Sequence, residues 1–301
     1  MSMKLVTYKS QNQELLGVKL DGGIIPVSCI AEVSGDSELA LVTVHDLIGN
    51  AMLTERLHEA VEKHHNQLQH SLVQEDSIQF SPCVPRPGKI ICIGLNYRRH
   101  AIETNAPIPT VPIVFSKFSD TAAAHLEEIP LPKRSTEVDY EAELGVVIGK
   151  RAVDVSREQA LDYVFGYCNV NDLSARDLQM RTHQWLLGKT CEKFAPMGPF
   201  LVTKDEVGDP NSLDIRAFVN GEKRQDSNTS DMIFHVDEII EYLSQYMVLE
   251  PGDLILTGTP EGVILGYPED QREWLKAGDT VTIEIEKLGS LTNTFTVKER
   301  V

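Results

Sequence analysis

What this 301-residue chain lacks narrows its chemistry before any motif is considered. Basic residues are scarce: 28 Lys and Arg stand against 45 Asp and Glu, for a formal net charge of −17. Nucleic acid or an anionic membrane as partner would require a basic patch to displace counterions, so neither is expected. A small anionic substrate remains compatible, provided a metal or local cations attract it against the global field. The five cysteines (Cys29, Cys83, Cys92, Cys168, Cys191) are odd in number and never closer than nine residues. That spacing excludes C-x-x-C zinc and redox motifs and argues against a disulfide framework. No apolar run approaches the roughly 18 residues that span a bilayer. The opening Met1-Ser2-Met3-Lys4-Leu5-Val6-Thr7-Tyr8 enters a strand-like pattern without a signal peptide's apolar region, so a cytoplasmic location is expected. Also missing are the G-x-S-x-G elbow, the G-x-x-x-x-G-K-[ST] phosphate loop and the G-x-G-x-x-G dinucleotide fingerprint. Gly258-Thr259-Pro260-Glu261-Gly262 fits none of them. Carboxylate, histidine and lysine chemistry is what remains.

The composition, 42% hydrophobic and 24% charged, is that of an ordinary globular protein. Short β-rich runs at Leu5–Tyr8, Leu16–Leu20 and Ile24–Val27, the last two joined by Asp21-Gly22-Gly23, predict a small antiparallel unit. From Val44 to His65 apolar residues recur at three and four, which predicts a helix. Three prolines and a glycine in Pro82-Cys83-Val84-Pro85-Arg86-Pro87-Gly88 mark a stiff connector. A small N-terminal α/β domain over residues 1–75 and a larger domain over 76–301 are therefore expected. The larger part is strand-rich, with helices at Ser156–Tyr163 and Val236–Tyr246 and no regular strand–helix alternation. The fold class is α+β, mostly β.

One stretch carries the most chemistry: Val138-Asp139-Tyr140-Glu141-Ala142-Glu143-Leu144-Gly145-Val146-Val147-Ile148. Side chains alternate along a strand, so Asp139, Glu141 and Glu143 share one face, while Val138, Tyr140, Ala142 and Leu144 pack on the other. Glu141 and Glu143 would lie about 7 Å apart at Cα, close enough to converge on one ion. Like charges on a strand that dives into a core are costly unless a cation neutralises them, and hard divalent metals prefer carboxylate oxygens. A solvated edge strand would show the same alternation, so the other segments decide. Asp172, in Asn171-Asp172-Leu173-Ser174-Ala175-Arg176-Asp177, stands at the end of an apolar strand as a third carboxylate. Gly188-Lys189-Thr190 sets an ammonium beside a glycine. Leu256-Thr257-Gly258-Thr259-Pro260-Glu261-Gly262 is a strand entering a tight turn that offers hydroxyls and N–H groups to a carboxylate. His100 and Glu103 stand at i, i+3 on one helical face, where Glu103 orients the imidazole.

In this order the segments resemble the fumarylacetoacetate hydrolase family, from about Pro85 to Val297. Gly94-Leu95-Asn96-Tyr97…His100, the Val138–Leu144 stretch, Asn171-Asp172-Leu173-Ser174-Ala175-Arg176-Asp177-Leu178-Gln179, Gly188-Lys189-Thr190 and Leu256–Val263 match best. The resemblance implies a mixed β-sandwich roll whose mouth holds Mg²⁺ or Mn²⁺, with Ca²⁺ as a further candidate. It makes Glu141, Glu143 and Asp172 the metal ligands. Lys189 and Gln179 become contacts to substrate or a developing oxyanion, and Arg176, Thr259 and Gly258 join the substrate-binding set. His100 and Glu103 become an acid/base dyad on a lid. A homodimer and a small anionic 2-oxo acid substrate are implied as well. Two departures stand out. Animal fumarylacetoacetases carry an additional Asp ligand where this chain reads Asn96-Tyr97, and His183 stands near a position where they present a substrate-binding Tyr.

The same residues serve three outcomes on a 2-oxo acid. A water activated by His100 gives hydrolysis of a C–C bond in a 2,4-dioxo acid, the expected reaction. Loss of CO₂ from oxaloacetate, or isomerisation of an oxo-dioate by proton movement alone, is the alternative. A catalytically silent metal- or metabolite-binding protein is the third possibility.

Overall fold

The segment with the acidic alternation is the middle of the molecule. In the computed structural model, which describes residues 2–11 and 13–297, Ala142–Ile148 is a strand buried at every position. It lies inside a large mixed sheet whose strands run in the order Gly23–Pro26, Gln13–Leu20, Lys4–Ser10, Ala195–Thr203, Val164–Asn171, Ala142–Ile148, Leu254–Leu256, Ile90–Gly94 and Ile113–Lys117. Every neighbouring pair on that path is antiparallel except Leu254–Leu256 with Ile90–Gly94. A second sheet is ordered Glu222–Asn228, Asp214–Val219, Thr280–Ile285, Gly289–Val297 and Ile129–Leu131. The result is the expected mixed, mostly β fold of α+β class.

Parity along the central strand divides the core. Val138, Tyr140, Ala142, Leu144, Val146 and Ile148 pack with Ile215, Ile283 and Phe295 of the second sheet. Val147, on the other face, packs with Leu254, Leu256 and the helices Val27–Ser34 and Ala51–Leu68, through Ile30, Leu57 and Val61. Both faces are covered, so the strand reads as a continuous apolar run after Glu143.

Several elements differ from expectation for local reasons. The helix expected over Val44–His65 is two, Val44–Leu47 and Ala51–Leu68. Gly49 lies between them at φ +87, and Asn50 Oδ1 accepts the Leu53 N–H at 3.1 Å to start the second helix. The run Ile24–Val27 stops as a strand at Pro26, which becomes the N-cap of a helix the apolar pattern did not reveal, Val27–Ser34. Ser156–Tyr163 is a short helix, Arg157–Ala160, passing into a 3₁₀ turn, whereas Val236–Tyr246 forms as expected. The N-terminal strands extend the large sheet: Leu5 pairs with Leu201, and Cys83 and Val84 of the proline-rich connector are buried. No helix of the described residues is long and apolar enough to cross a membrane.

Leu144 is fully buried between the two sheets. Leu144→Ala is expected to cost about 2–5 kcal/mol, the usual range for a core truncation, read as a lowered urea midpoint at unchanged slope. An unchanged midpoint would show that the strand is not the anchor of this core.

Candidate metal centre and active site

Strand register assembles the acids. Ala142 pairs with Asn171, so Asp172 falls opposite Glu141, and its N–H donates to the Glu141 carbonyl at 3.0 Å. On the other side Gly145 pairs with Leu256, which brings Gly258 level with Glu143, and the Gly258 N–H donates to Glu143 Oε2 at 2.8 Å. Carboxylate oxygens of Glu141, Glu143 and Asp172 thereby lie within 4.8 Å of one another, all three residues buried. The expected third member of the face, Asp139, is elsewhere. The strand breaks after Asp139, and its carboxylate accepts from Arg176 Nε at 2.9 Å and from the N–H groups of Ile264 and Leu265. Those two bonds hold the start of the segment 264–275, whose far end returns as Leu275 N–H donating to the Val138 carbonyl.

Cations surround the triad. Lys189 Nζ donates to Glu141 Oε2 at 2.6 Å and Asp172 Oδ2 at 2.8 Å. Arg176 donates from Nη2 to Glu141 Oε1 at 2.7 Å and from Nη1 to Gln179 Oε1 at 3.0 Å. Lys117 Nζ donates to Asp172 Oδ1 at 2.5 Å and to the Leu173 carbonyl. Four carboxylates, counting Asp139, therefore face three cations, and among the described residues Glu143 forms no salt bridge. The electrostatic consequences are opposite for the two glutamates. Burial works against ionisation of Glu141, but Lys189 and Arg176 outweigh it and hold its carboxyl at about 2. Burial, reinforced by Asp172 and Glu141, pushes Glu143 well above the ordinary carboxylate range. An uncompensated buried carboxylate beside two others is a donor set that suits a hard divalent cation.

Glu141 and Glu143 of the triad line a cavity of about 630 Å³. His100, buried, lines it, with Nδ1 2.7 Å from Glu103 Oε1, and Glu103 Oε2 in turn accepts the Gly262 N–H at 2.9 Å. A carboxylate only accepts, so Nδ1 carries the proton and Nε2 is left as the basic nitrogen. The dyad's helix, Arg98–Glu103, is docked by Arg99 on Glu261 at 3.2 Å and by the Ile233 N–H on the Asn96 carbonyl. The Asn96 side chain, where animal fumarylacetoacetases carry their additional Asp, bonds to the Phe234 and Thr257 backbone and belongs to no acid cluster among the described residues.

Four expected substrate contacts are distributed differently. Thr259 lines the cavity, and its Oγ1 accepts from Gln225 Nε2 at 2.9 Å, leaving the hydroxyl proton to donate. Gln179 also lines it, with its oxygen fixed by Arg176 and, among the described residues, no acceptor engaging its amide N–H groups. Arg176 is fully engaged by Asp139, Glu141 and Gln179, so it positions these groups instead of presenting a free guanidinium. The Gly258 N–H, expected to meet a substrate carboxylate, is used by Glu143. Its φ of +98 and a Cβ position 2.6 Å from Asn96 Cβ explain the glycine. Gly188 likewise serves close packing: a Cβ there would come within 2.5 Å of Gln179, across the contact between the two short helices that carry Gln179 and Lys189. His183 is exposed and does not line the cavity.

Lys117 and Gln225 were not anticipated. The inward alternation Ile113, Phe115, Lys117 carried a signal for the lysine, whose side chain is fully buried. Gln225 had none, since its role depends on a strand of the second sheet reaching both the Ala142 N–H and Thr259.

Residues 89–296 match the family model described as fumarylacetoacetate (FAA) hydrolase, C-terminal. A mitochondrial oxaloacetate tautomerase of Xenopus laevis is 46% identical over 227 residues, 75% of this chain and 70% of its own. A 2,4-didehydro-3-deoxy-L-rhamnonate hydrolase of Sphingomonas sp. (strain SKA58) is 51% identical over 204 residues, 67% of this chain and 71% of its own. Among solved structures, fumarylpyruvate hydrolase of Pseudomonas aeruginosa, in complex with Mn²⁺ and pyruvate, is 33% identical with a TM-score of 0.64, over 74% of this chain and 93% of that one.

The raised Glu143 gives a test by linkage. A metal needs the carboxylate deprotonated, so binding should release up to about one proton per ion on the acid side and fewer as pH rises. Affinity for Mg²⁺ or Mn²⁺ is expected to climb with pH across the range in which Glu143 titrates. Calorimetry in buffers of different ionisation enthalpy measures both quantities, and a pH-independent affinity with no proton release would remove Glu143 from the ligand set.

Proposed function

The chain belongs to the fumarylacetoacetate hydrolase family, and from that premise we propose that it is a divalent-metal-dependent tautomerase of a 2-oxo dicarboxylic acid of the oxaloacetate type. The observation that carries this is the His100–Glu103 pair, 2.7 Å apart, on the wall of the cavity that Glu141 and Glu143 also line. Keto–enol exchange needs one base and a stabiliser for the negative charge that develops on the 2-oxo oxygen, and no second nucleophile. Similarity to oxaloacetate tautomerases over three-quarters of the chain supports the same choice.

Glu141, Glu143 and Asp172 would hold the metal, Mg²⁺ or Mn²⁺. When bound, the cation supplies Lewis-acid stabilisation of negative charge on a 2-oxo group. His100 Nε2 takes the proton from C3, and the electron pair of that C–H bond becomes the C2–C3 double bond. The same proton then passes from the imidazolium to the 2-oxo oxygen, so the base is regenerated. Glu103 keeps the imidazole in the required tautomer and stabilises its protonated form. Lys189 uses two of its three N–H bonds on Glu141 and Asp172. The third, beside the Phe115 ring 5.0 Å away, serves the oxygen that gains charge. Thr259 and Gln179 donate to the substrate carboxylate.

A second reading is hydrolysis of a C–C bond in a 2,4-dioxo acid, with His100 activating water. The 51% identity to a rhamnonate hydrolase favours it. The two separate on a simple panel. The Mg²⁺-loaded protein is expected to accelerate the decay of the oxaloacetate enol band, and cleavage of acetylpyruvate with oxaloacetate exchange left at its uncatalysed rate would install the hydrolase in its place. His100→Ala should lower kcat for tautomerisation by about 10²–10⁴ while calorimetric metal affinity is retained. Loss of metal binding in that variant would show that the histidine belongs to the metal centre and not to the acid/base step.

A further inference from the structure

We propose that Arg272 is the specificity-determining residue that binds the distal carboxylate of the substrate, so that the enzyme prefers 2-oxo dicarboxylic acids to 2-oxo monocarboxylic acids. The inference rests on the 2-oxo acid reading of the same cavity and names what recognises the far end of the molecule. Arg176, Lys189 and Arg272 are the lysine and arginine residues that line the cavity. The first two are buried and neutralised, Arg176 by Asp139 and Glu141, Lys189 by Glu141 and Asp172. Neither has charge to spare for a second anionic group.

Arg272 is different. It is half-buried, and its Nε donates to the Tyr267 carbonyl at 2.9 Å. Among the described residues no hydrogen bond or ion pair engages Nη1 or Nη2, although Glu269, Asp270 and Glu273 stand close by in the sequence. The carbonyl tether fixes one edge of the planar guanidinium and leaves the fork of two terminal nitrogens, whose spacing matches a carboxylate. With a net charge of −17 the protein repels a dianion as a whole, so a second carboxylate needs a local cation at the site. Arg272 is the lining cation still able to serve. Its segment begins where Asp139 fixes Ile264 and Leu265 and ends where Leu275 binds Val138, which ties it to the strand leading into the triad.

The test uses the full-length Mg²⁺-loaded protein and calorimetric titration with oxaloacetate and pyruvate, which differ in the distal carboxylate. Wild type should bind oxaloacetate the more tightly. Arg272→Gln should weaken oxaloacetate about 10- to 100-fold, the scale of a charge-assisted hydrogen bond, and change pyruvate by less than about twofold. Arg272→Lys, which keeps the charge without the fork, should fall between. Equal weakening of both ligands, or of neither, overturns the assignment. Enol decay measured on the same samples separates the two proposals. Arg272-dependent selection without accelerated exchange leaves the assignment standing and removes the tautomerase reading. Accelerated exchange with identical constants in wild type and Arg272→Gln removes the assignment alone, and binding of neither ligand overturns both.

Discussion

Four buried carboxylates facing three buried cations set the terms for everything around them. Removing that many charges from water costs several kcal/mol per ion unless each is matched closely. The matching here is dense, with most polar atoms of Asp139, Glu141, Asp172, Arg176 and Lys189 bonded to another member of the group or to backbone. Glu143 accepts the Gly258 N–H but, among the described residues, forms no salt bridge, which leaves the group one positive charge short. On the proposed reading, a divalent ion would convert the least stable carboxylate into one that has a strong partner. Ion affinity and local stability are therefore two expressions of one imbalance.

The sheet makes this geometry affordable in conformational terms. Three strands and their extensions, fixed by main-chain pairing, deliver Glu141, Glu143, Asp172 and Gly258 without any long flexible side chain having to search for its place. Long side chains are confined to the cations, and each lysine or arginine is pinned at more than one point. The acid/base pair is built separately, on a helix of six residues whose carboxylate also accepts a backbone N–H from the Thr257–Gly262 turn. If the carboxylates serve as ligands and His100 as the base, as proposed, such separate mounting lets proton chemistry diverge around one constant centre, which fits a family whose members include tautomerases and hydrolases.

Much of this was legible in the residues. Parity alone put Glu141 and Glu143 on one face and Val138, Tyr140, Ala142 and Leu144 on the other, because period two is a property of the backbone and not of context. His100 and Glu103 met for the equivalent helical reason. What stayed hidden depends on contacts between distant segments. Asp139 obeys the alternation, yet a strand break turns it toward Arg176. Gln225 acquires its role from a strand of the second sheet, and the one helix expected from Val44 to His65 is divided by a left-handed glycine. Lys117 and Arg176 show why charge in a sequence is ambiguous: a solvated lysine and one buried on an aspartate are written with the same letter, and only the neighbours tell them apart.

The segment 264–275 closes on a single dipeptide, with its first N–H groups on the Asp139 carboxylate and its last on the Val138 carbonyl. Such a loop is an interchangeable cassette. Lengthening it adds little closure entropy, since that cost grows only with the logarithm of loop size. The sheet register that holds the acids does not pass through it. Exchange of the residues beyond Gly266, which itself abuts the Glu103 carboxylate, would therefore reshape the cavity wall while leaving the strands that carry the acids in register.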